Sequence, residues 1–360
     1  MTMLVEMQTG DRQEWLPNFP PSAEILKKAT SAGAKKEGYY GLPMLKRPTW
    51  GWEIAWYFFL EGVSAGSFLT ASLAARSGDK RLRPVMRAGH YTSLLAFIPC
   101  PPLLIADLGD PSRFHHMLRV FKPSSPMNLG AWALSAYSLP MTLLAAKQFA
   151  EEMQEKYLSV KRVARLIPAR LLGWLGLPLS LTMASYTGVL LATTSAPLWA
   201  TSRCLGALFA TSAISDGVAA TSLHLALHDG AARRALRSLE KVERVARLGE
   251  AVAIGFYLAT TGKAAKPLMK GRYGWQFWLG AVGVGLVAPA VLQALRPKRR
   301  KQGRVGTILR SALSLAGGFA LKWAIVHAGR ESAEDVESAQ HATRPSRSAP
   351  GWGPNDGSHE

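Results

Sequence analysis

Cysteine is almost absent from this 360-residue chain: it has two, Cys100 and Cys204, each inside an apolar block and without Cys-x-x-Cys spacing. That scarcity leaves both a disulfide framework and an iron–sulfur site of the chain's own without support. Acidic residues are also few, 24 against 43 Lys and Arg, which leaves a net charge of +19. A basic excess of this size often points to nucleic acid. No basic recognition helix or stacking motif accompanies it here, so no nucleic-acid partner is expected. The histidines His90, His115, His116, His224, His228 and His327 do not supply two facing pairs at matching depths, which argues against haem. The first 47 residues lack the apolar core of roughly 7–15 residues that a cleavable secretion signal requires. They read as a polar extension, 1–47, lying on a membrane surface or a partner, while the acidic and then Ser/Pro/Gly-rich stretch 331–360 reads as a disordered tail.

What the sequence does have is segregation. Its mean hydropathy is only +0.05, because long apolar blocks alternate with short basic clusters. A spanning helix needs about 20 mostly apolar residues. Eight candidates satisfy this, at about 52–75, 88–106, 128–149, 171–193, 203–227, 248–266, 275–295 and 306–328. The expected fold is therefore an all-α integral membrane domain over 48–330, with about eight transmembrane helices. The sixth, which carries Glu250 and Lys263, also fits an amphipathic helix lying on the surface. Loops after the odd-numbered helices hold 23 Lys and Arg, against 8 in the loops after the even-numbered ones. The former loops belong in the cytoplasm and both termini outside, although Lys27, Lys28, Lys35, Lys36, Lys46 and Arg47 run against that rule. Trp50, Trp52 and Trp56 open the first helix and Tyr273, Trp275 and Trp278 the seventh, as aromatic rings favour the interface.

Glu61-Gly62-Val63-Ser64-Ala65 in the first helix is echoed by Asp216-Gly217-Val218-Ala219-Ala220 in the fifth. The spacing fits two tandem four-helix bundles, each opening with a helix that carries a buried acid; chance in Ala/Gly-rich helices is the plainer alternative. Ionisable groups at bilayer depth are costly and so are functional candidates. Glu61, Asp216, Glu250 and Lys322 are the deep ones, either as steps of a proton path or as neutralised structural pairs such as Glu250–Lys322. Gly62 and Gly66 make a small-xxx-small face suited to close helix packing. Pro99, Pro101 and Pro102 should break the second helix just before Asp107.

The segment after that break is the most specific in the sequence. It reads Asp107-Leu108-Gly109-Asp110-Pro111-Ser112-Arg113-Phe114, followed by Ser125-Pro126-Met127-Asn128-Leu129-Gly130-Ala131-Trp132. Further motifs are Trp56-Tyr57-Phe58-Phe59-Leu60-Glu61-Gly62, Ser185-Tyr186-Thr187-Gly188 and Pro197-Leu198-Trp199. Together these resemble the NrfD/polysulfide-reductase family of membrane subunits, over about residues 50–330. The resemblance implies a membrane anchor and quinone-reactive subunit of a multi-subunit respiratory oxidoreductase. Such a subunit exchanges electrons between a diffusible quinone or menaquinone and a ferredoxin-like iron–sulfur subunit, commonly with a molybdopterin catalytic subunit behind it, and proton translocation is a further role. Its setting would be the lipid of a prokaryotic inner (cytoplasmic) membrane, with periplasmic termini.

In that reading Asp107 accepts protons, Arg113, His115 and His116 donate hydrogen bonds, and Phe114, Met117 and Met127 wall the ring. An Asp107–Arg113 pair that only holds the loop is the structural alternative. The resemblance adds Tyr186 as a headgroup contact, and it places Glu53 and Trp56 where some members carry Asn and His. Glu61 and Asp107 are then the residues that exchange protons. A secondary transporter or proton-translocating module without quinone chemistry, and a purely structural anchor, are the alternatives from other classes.

Overall fold

The computed structural model describes residues 45, 48–153, 166–228, 233–295 and 303–333. The expected extension 1–47, apart from Leu45, and the tail beyond Ala333 lie outside the described residues. Those described are helical, with no strand among them. The long elements are α1 (Trp52–Arg76), α2 (Arg83–Phe97), α3 (Cys100–Asp107), α4 (Pro126–Met153), α5 (Ala169–Ala192), α6 (Leu205–His228), α7 (Arg233–Thr261), α8 (Gln276–Ala294) and α9 (Arg304–Ser332). With α2 and α3 taken as one broken helix, each of these overlaps one of the expected segments in chain order.

Local chemistry sets the boundaries. α1 ends where the Ser77 amide donates to the Leu73 carbonyl at 3.1 Å, and Gly78 then turns the backbone at φ +69°, a conformation that side chains disfavour. The Asp79 carboxylate accepts from the Arg81 amide at 2.9 Å and starts the next turn. As expected, the proline cluster divides the second helix, with α2 ending at Phe97 and α3 starting at Cys100. α8 is π-helical over Gln276–Val287, and it meets α9 where Gly285 lies against Gly317.

Six of these segments are long and apolar enough to cross a membrane: α1, α2 with α3, α4, α5, α8 and α9. α6 and α7 fall short, for different reasons. α6 is enclosed by its neighbours, and its Ser212, Ser215, Asp216, Thr221 and Ser222 are all buried. A helix surrounded by protein has no lipid-facing stripe to keep apolar. α7 corrects the sixth expected boundary, for it begins at Arg233 rather than near 248. The charges read as a loop are helical because Glu240 and Glu243 turn toward α9. Arg310 Nε donates to Glu243 at 3.2 Å and its Nη1 to Glu240 at 3.4 Å, while Arg247 Nη2 donates to Glu243 at 2.7 Å.

α1 and α6 form the centre. Gly66 and Gly217 meet backbone to backbone, and Gly62 faces Ala213, so the small-residue face of α1 is a helix contact, as its spacing implies. The motif Pro197-Leu198-Trp199 is buried and ties α7 and α9 to the segment that leads into α1. Trp199 stacks on Trp50 and donates its indole N–H to the Ile325 carbonyl at 2.9 Å, while the Tyr257 hydroxyl donates to the Leu198 carbonyl at 2.8 Å.

Candidate functional site: a cavity beneath the 107–127 loop

The break between α2 and α3 leaves Asp107 at the end of a short helix, followed by a loop that folds back over the bundle. Beneath this loop lies a cavity of about 390 Å³, within the size range of small-molecule sites. Asp107, Tyr57, Phe58, Phe114, Met117, Met127, Gly130 and Tyr186 line it, along with Trp50, Ile54, Phe97, Leu104 and Leu134. Most of the wall is apolar, and its polar groups are few: the Asp107 carboxylate, the Tyr57 and Tyr186 phenols, and hydroxyls at Thr49, Ser135 and Ser138. Asp107 lies beside the Gly51 amide and within electrostatic reach of Glu53 and Arg330.

Asn128 holds the loop in place. Its amide nitrogen donates to the Met117 carbonyl at 2.6 Å and the Val120 carbonyl at 3.0 Å, and its oxygen accepts from the Lys122 amide at 2.8 Å. A second tie is the Tyr186 hydroxyl, which donates to the Pro126 carbonyl at 2.5 Å. Gly130 makes this possible, since a side chain there would occupy the space of the Tyr186 phenol.

Among the residues expected at the site, Asp107, Phe114, Met117, Met127 and Tyr186 come together at the cavity. Others do not. Arg113 is exposed and pairs with Asp110 at 3.0 Å, so the Asp107–Arg113 pair does not form; three residues along the loop, Asp110 is simply closer. His115 and His116 are exposed and stack edge to face with each other at 4.4 Å, away from the lining. Glu53 and Trp56 also miss the cavity, and the Trp56 ring packs on Phe319 of α9 at 4.4 Å. The inward face of α1 is instead Ile54, Tyr57, Phe58 and Glu61, an i, i+3, i+4, i+7 set. That periodicity is the signal for Tyr57, which sequence reasoning passes over for its neighbour.

Glu61 lies below the cavity, one turn past Tyr57. It is fully buried, and neither carboxylate oxygen has a hydrogen-bond partner. The expected Glu250–Lys322 pair is replaced by another: Lys322 Nζ donates to Asp216 at 2.7 Å and also to the Ser212 hydroxyl. Asp216 and Lys322 both reach the α6–α9 contact, whereas Glu250 projects from α7. Among the described residues no cluster of three or more metal-ligating side chains occurs.

An all-helical bundle with six membrane-length helices defines a multi-pass membrane protein, with a largely apolar, sparsely polar cavity under one loop. The family model described as Polysulphide reductase, NrfD, matches residues 42–332, and the chain belongs to this family. It is 31% identical to a polysulfide reductase polypeptide of Wolinella succinogenes over 300 residues, which covers 78% of this sequence and 94% of that protein. It is 27% identical to the NrfD protein of Escherichia coli over 78% of this sequence and 95% of the relative. A selenate reductase component of Mesobacillus selenatarsenatis is 23% identical over 77% of this sequence and 73% of that protein.

Proposed function

We propose that this protein is the membrane anchor and quinone-reactive subunit of a respiratory oxidoreductase, exchanging electrons between the membrane quinone pool and an iron–sulfur partner subunit. The cavity beneath the 107–127 loop carries this reading. Its apolar walls suit a quinone ring and the start of an isoprenoid tail, and Asp107 and the Tyr57 and Tyr186 phenols are polar groups able to meet ring oxygens. Quinone supplies the two-electron, two-proton chemistry when bound. Asp107 holds or releases a proton at a ring oxygen, and Tyr186 offers its hydroxyl by exchanging the Pro126 carbonyl for the ligand. Arg113 and the two loop histidines then belong to the rim, where they are free to meet the partner. In this reading electrons enter through the partner, a ferredoxin-like subunit with a molybdopterin catalytic subunit behind it. That two of the relatives are named as single components of polysulfide and selenate reductases supports such an assembly.

In this reading the polypeptide spans a prokaryotic inner membrane eight times, in two four-helix halves, with both termini and the 107–127 loop on the periplasmic face. Binding of a fluorescent quinol analogue to the purified protein is the test. Asp107→Asn and Tyr186→Phe should each weaken it at least tenfold, and unchanged affinity in both would remove the site assignment.

A further inference from the structure

α7 sorts its charges by face. Its three acidic residues turn toward the protein: Glu243 and Glu250 are buried, and Glu240 and Glu243 both meet Arg310 of α9. Arg247 is buried beside Glu243 at 2.7 Å. On the outer face Arg234, Arg237, Lys241 and Arg244 are all exposed. Their spacing of three, four and three residues puts them within roughly a quarter-turn of one another. Among the described residues none of the four pairs with a carboxylate. Like charges three or four residues apart on a helix repel and destabilise it, so this stripe calls for a counter-charge that the protein does not supply.

The same face then changes character without turning. Val245, Leu248, Val252 and Phe256 continue the line of the four cations, and each is more than half exposed. The charges in that interval, Arg247 and Glu250, are both buried. At 1.5 Å per residue the cationic part runs about 15 Å and the apolar part about 17 Å. The second length is close to half of a hydrocarbon core about 30 Å thick. The opposite face of α7 is fixed to α6 along its length. Leu236 and Leu239 pack with Val218 and Leu225, Gly249 lies against Thr211, and the Thr260 and Ser202 hydroxyls are 2.8 Å apart.

We infer that this outer face of α7 binds an anionic phospholipid, with the phosphate held by Arg234, Arg237, Lys241 and Arg244 and one acyl chain lying along Val245, Leu248, Val252 and Phe256. The two parts of the face together select an occupant with a charged head and a chain about one leaflet long. Lys and Arg suit the junction, since their stems cover apolar surface while their charges reach the headgroups. Clustered cations at the end of a membrane helix also favour anionic over zwitterionic lipid. A second copy of this chain would bring like charges against like, and a water-soluble acidic partner would leave the apolar half uncovered. The inference requires α7 to stand across the bilayer beside α6, and it is independent of the quinone reading.

The test titrates the purified full-length protein in nonionic detergent with phosphatidylglycerol carrying a fluorescent acyl chain, and with phosphatidylcholine labelled in the same way. Wild type should bind the anionic lipid at least tenfold more tightly, and Arg234→Gln/Arg237→Gln/Lys241→Gln/Arg244→Gln should bring the two affinities within twofold. Arg234→Lys/Arg237→Lys/Arg244→Lys, which keeps every charge, should keep the preference. So should Lys122→Gln/Lys263→Gln/Lys270→Gln/Arg272→Gln, which removes as much charge elsewhere. No preference in the wild type overturns the inference, as does a preference that survives in the α7 glutamine variant or one lost equally in the variant altered elsewhere. Displacement of the probe by inorganic phosphate at matched ionic strength would make this an anion site without a lipid. Loss of binding once partner subunits are assembled would assign the face to another protein, and either of these results also overturns the inference.

Discussion

Gly130 matters for the side chain it does not have. The Tyr186 phenol fills the space a Cβ would need, and from there it ties α5 to the Pro126 carbonyl at the start of α4. Gly130→Ala should push the phenol aside and lower quinol-analogue affinity at least tenfold, measured by fluorescence titration, while the protein still folds. The Asp216–Lys322 pair makes a different point. Removing one partner of a buried ion pair leaves an uncompensated charge and costs about 3–5 kcal/mol, while replacing both partners with apolar groups can be close to neutral. Lys322→Met or Asp216→Asn alone should therefore lower the thermal midpoint in detergent sharply, and Asp216→Leu/Lys322→Met should recover most of the loss. Both residues were legible in the sequence as deep charges. Their partnership was not, because it depends on the rotation of α6 against α9.

Among the elements, the α1–α6 crossing sets the rest, because it brings two backbones together at Gly66 and Gly217. Gly217→Leu would drive a branched side chain into the α1 backbone, and overpacking of this kind costs about 1–3 kcal/mol or more. Thermal unfolding should show a large loss of stability, whereas the same change at Gly255 of α7, where a Cβ meets nothing within 4 Å, should be tolerated. The helix boundaries came from apolar run length, and the start of α7 escaped because its first four turns are charged. Two of those charges, Glu240 and Glu243, pair with the buried Arg310, and run length carries no information about charges that find partners inside the bundle. The loop of 107–127 follows the same logic. Its motif marked it as special, while the Asn128 hydrogen bonds that fix its path join residues whose separation in sequence gives no periodic signal.

For the whole molecule, loop charge is the feature that sets orientation. The proposal puts the 77–82 turn in the cytoplasm and the 107–127 loop outside, so green fluorescent protein inserted after Asp79 should fluoresce, and the same insertion after Phe121 should not. The reverse pattern would invert the orientation. Helical class, the order of the helical segments and membership of the NrfD family were all determined by sequence, because each is written in local composition or in a contiguous motif. The tertiary structure decided which face of α1 points inward, and so brought Tyr57 to the cavity in place of Glu53 and Trp56. It decided that Lys322 meets Asp216 rather than Glu250. It also separated Asp107 and Tyr186, which reach the cavity, from Arg113 and His115, which share the loop motif but face outward. Which residues converge on a point depends on helix rotation and crossing, and those are fixed only when the helices pack against one another.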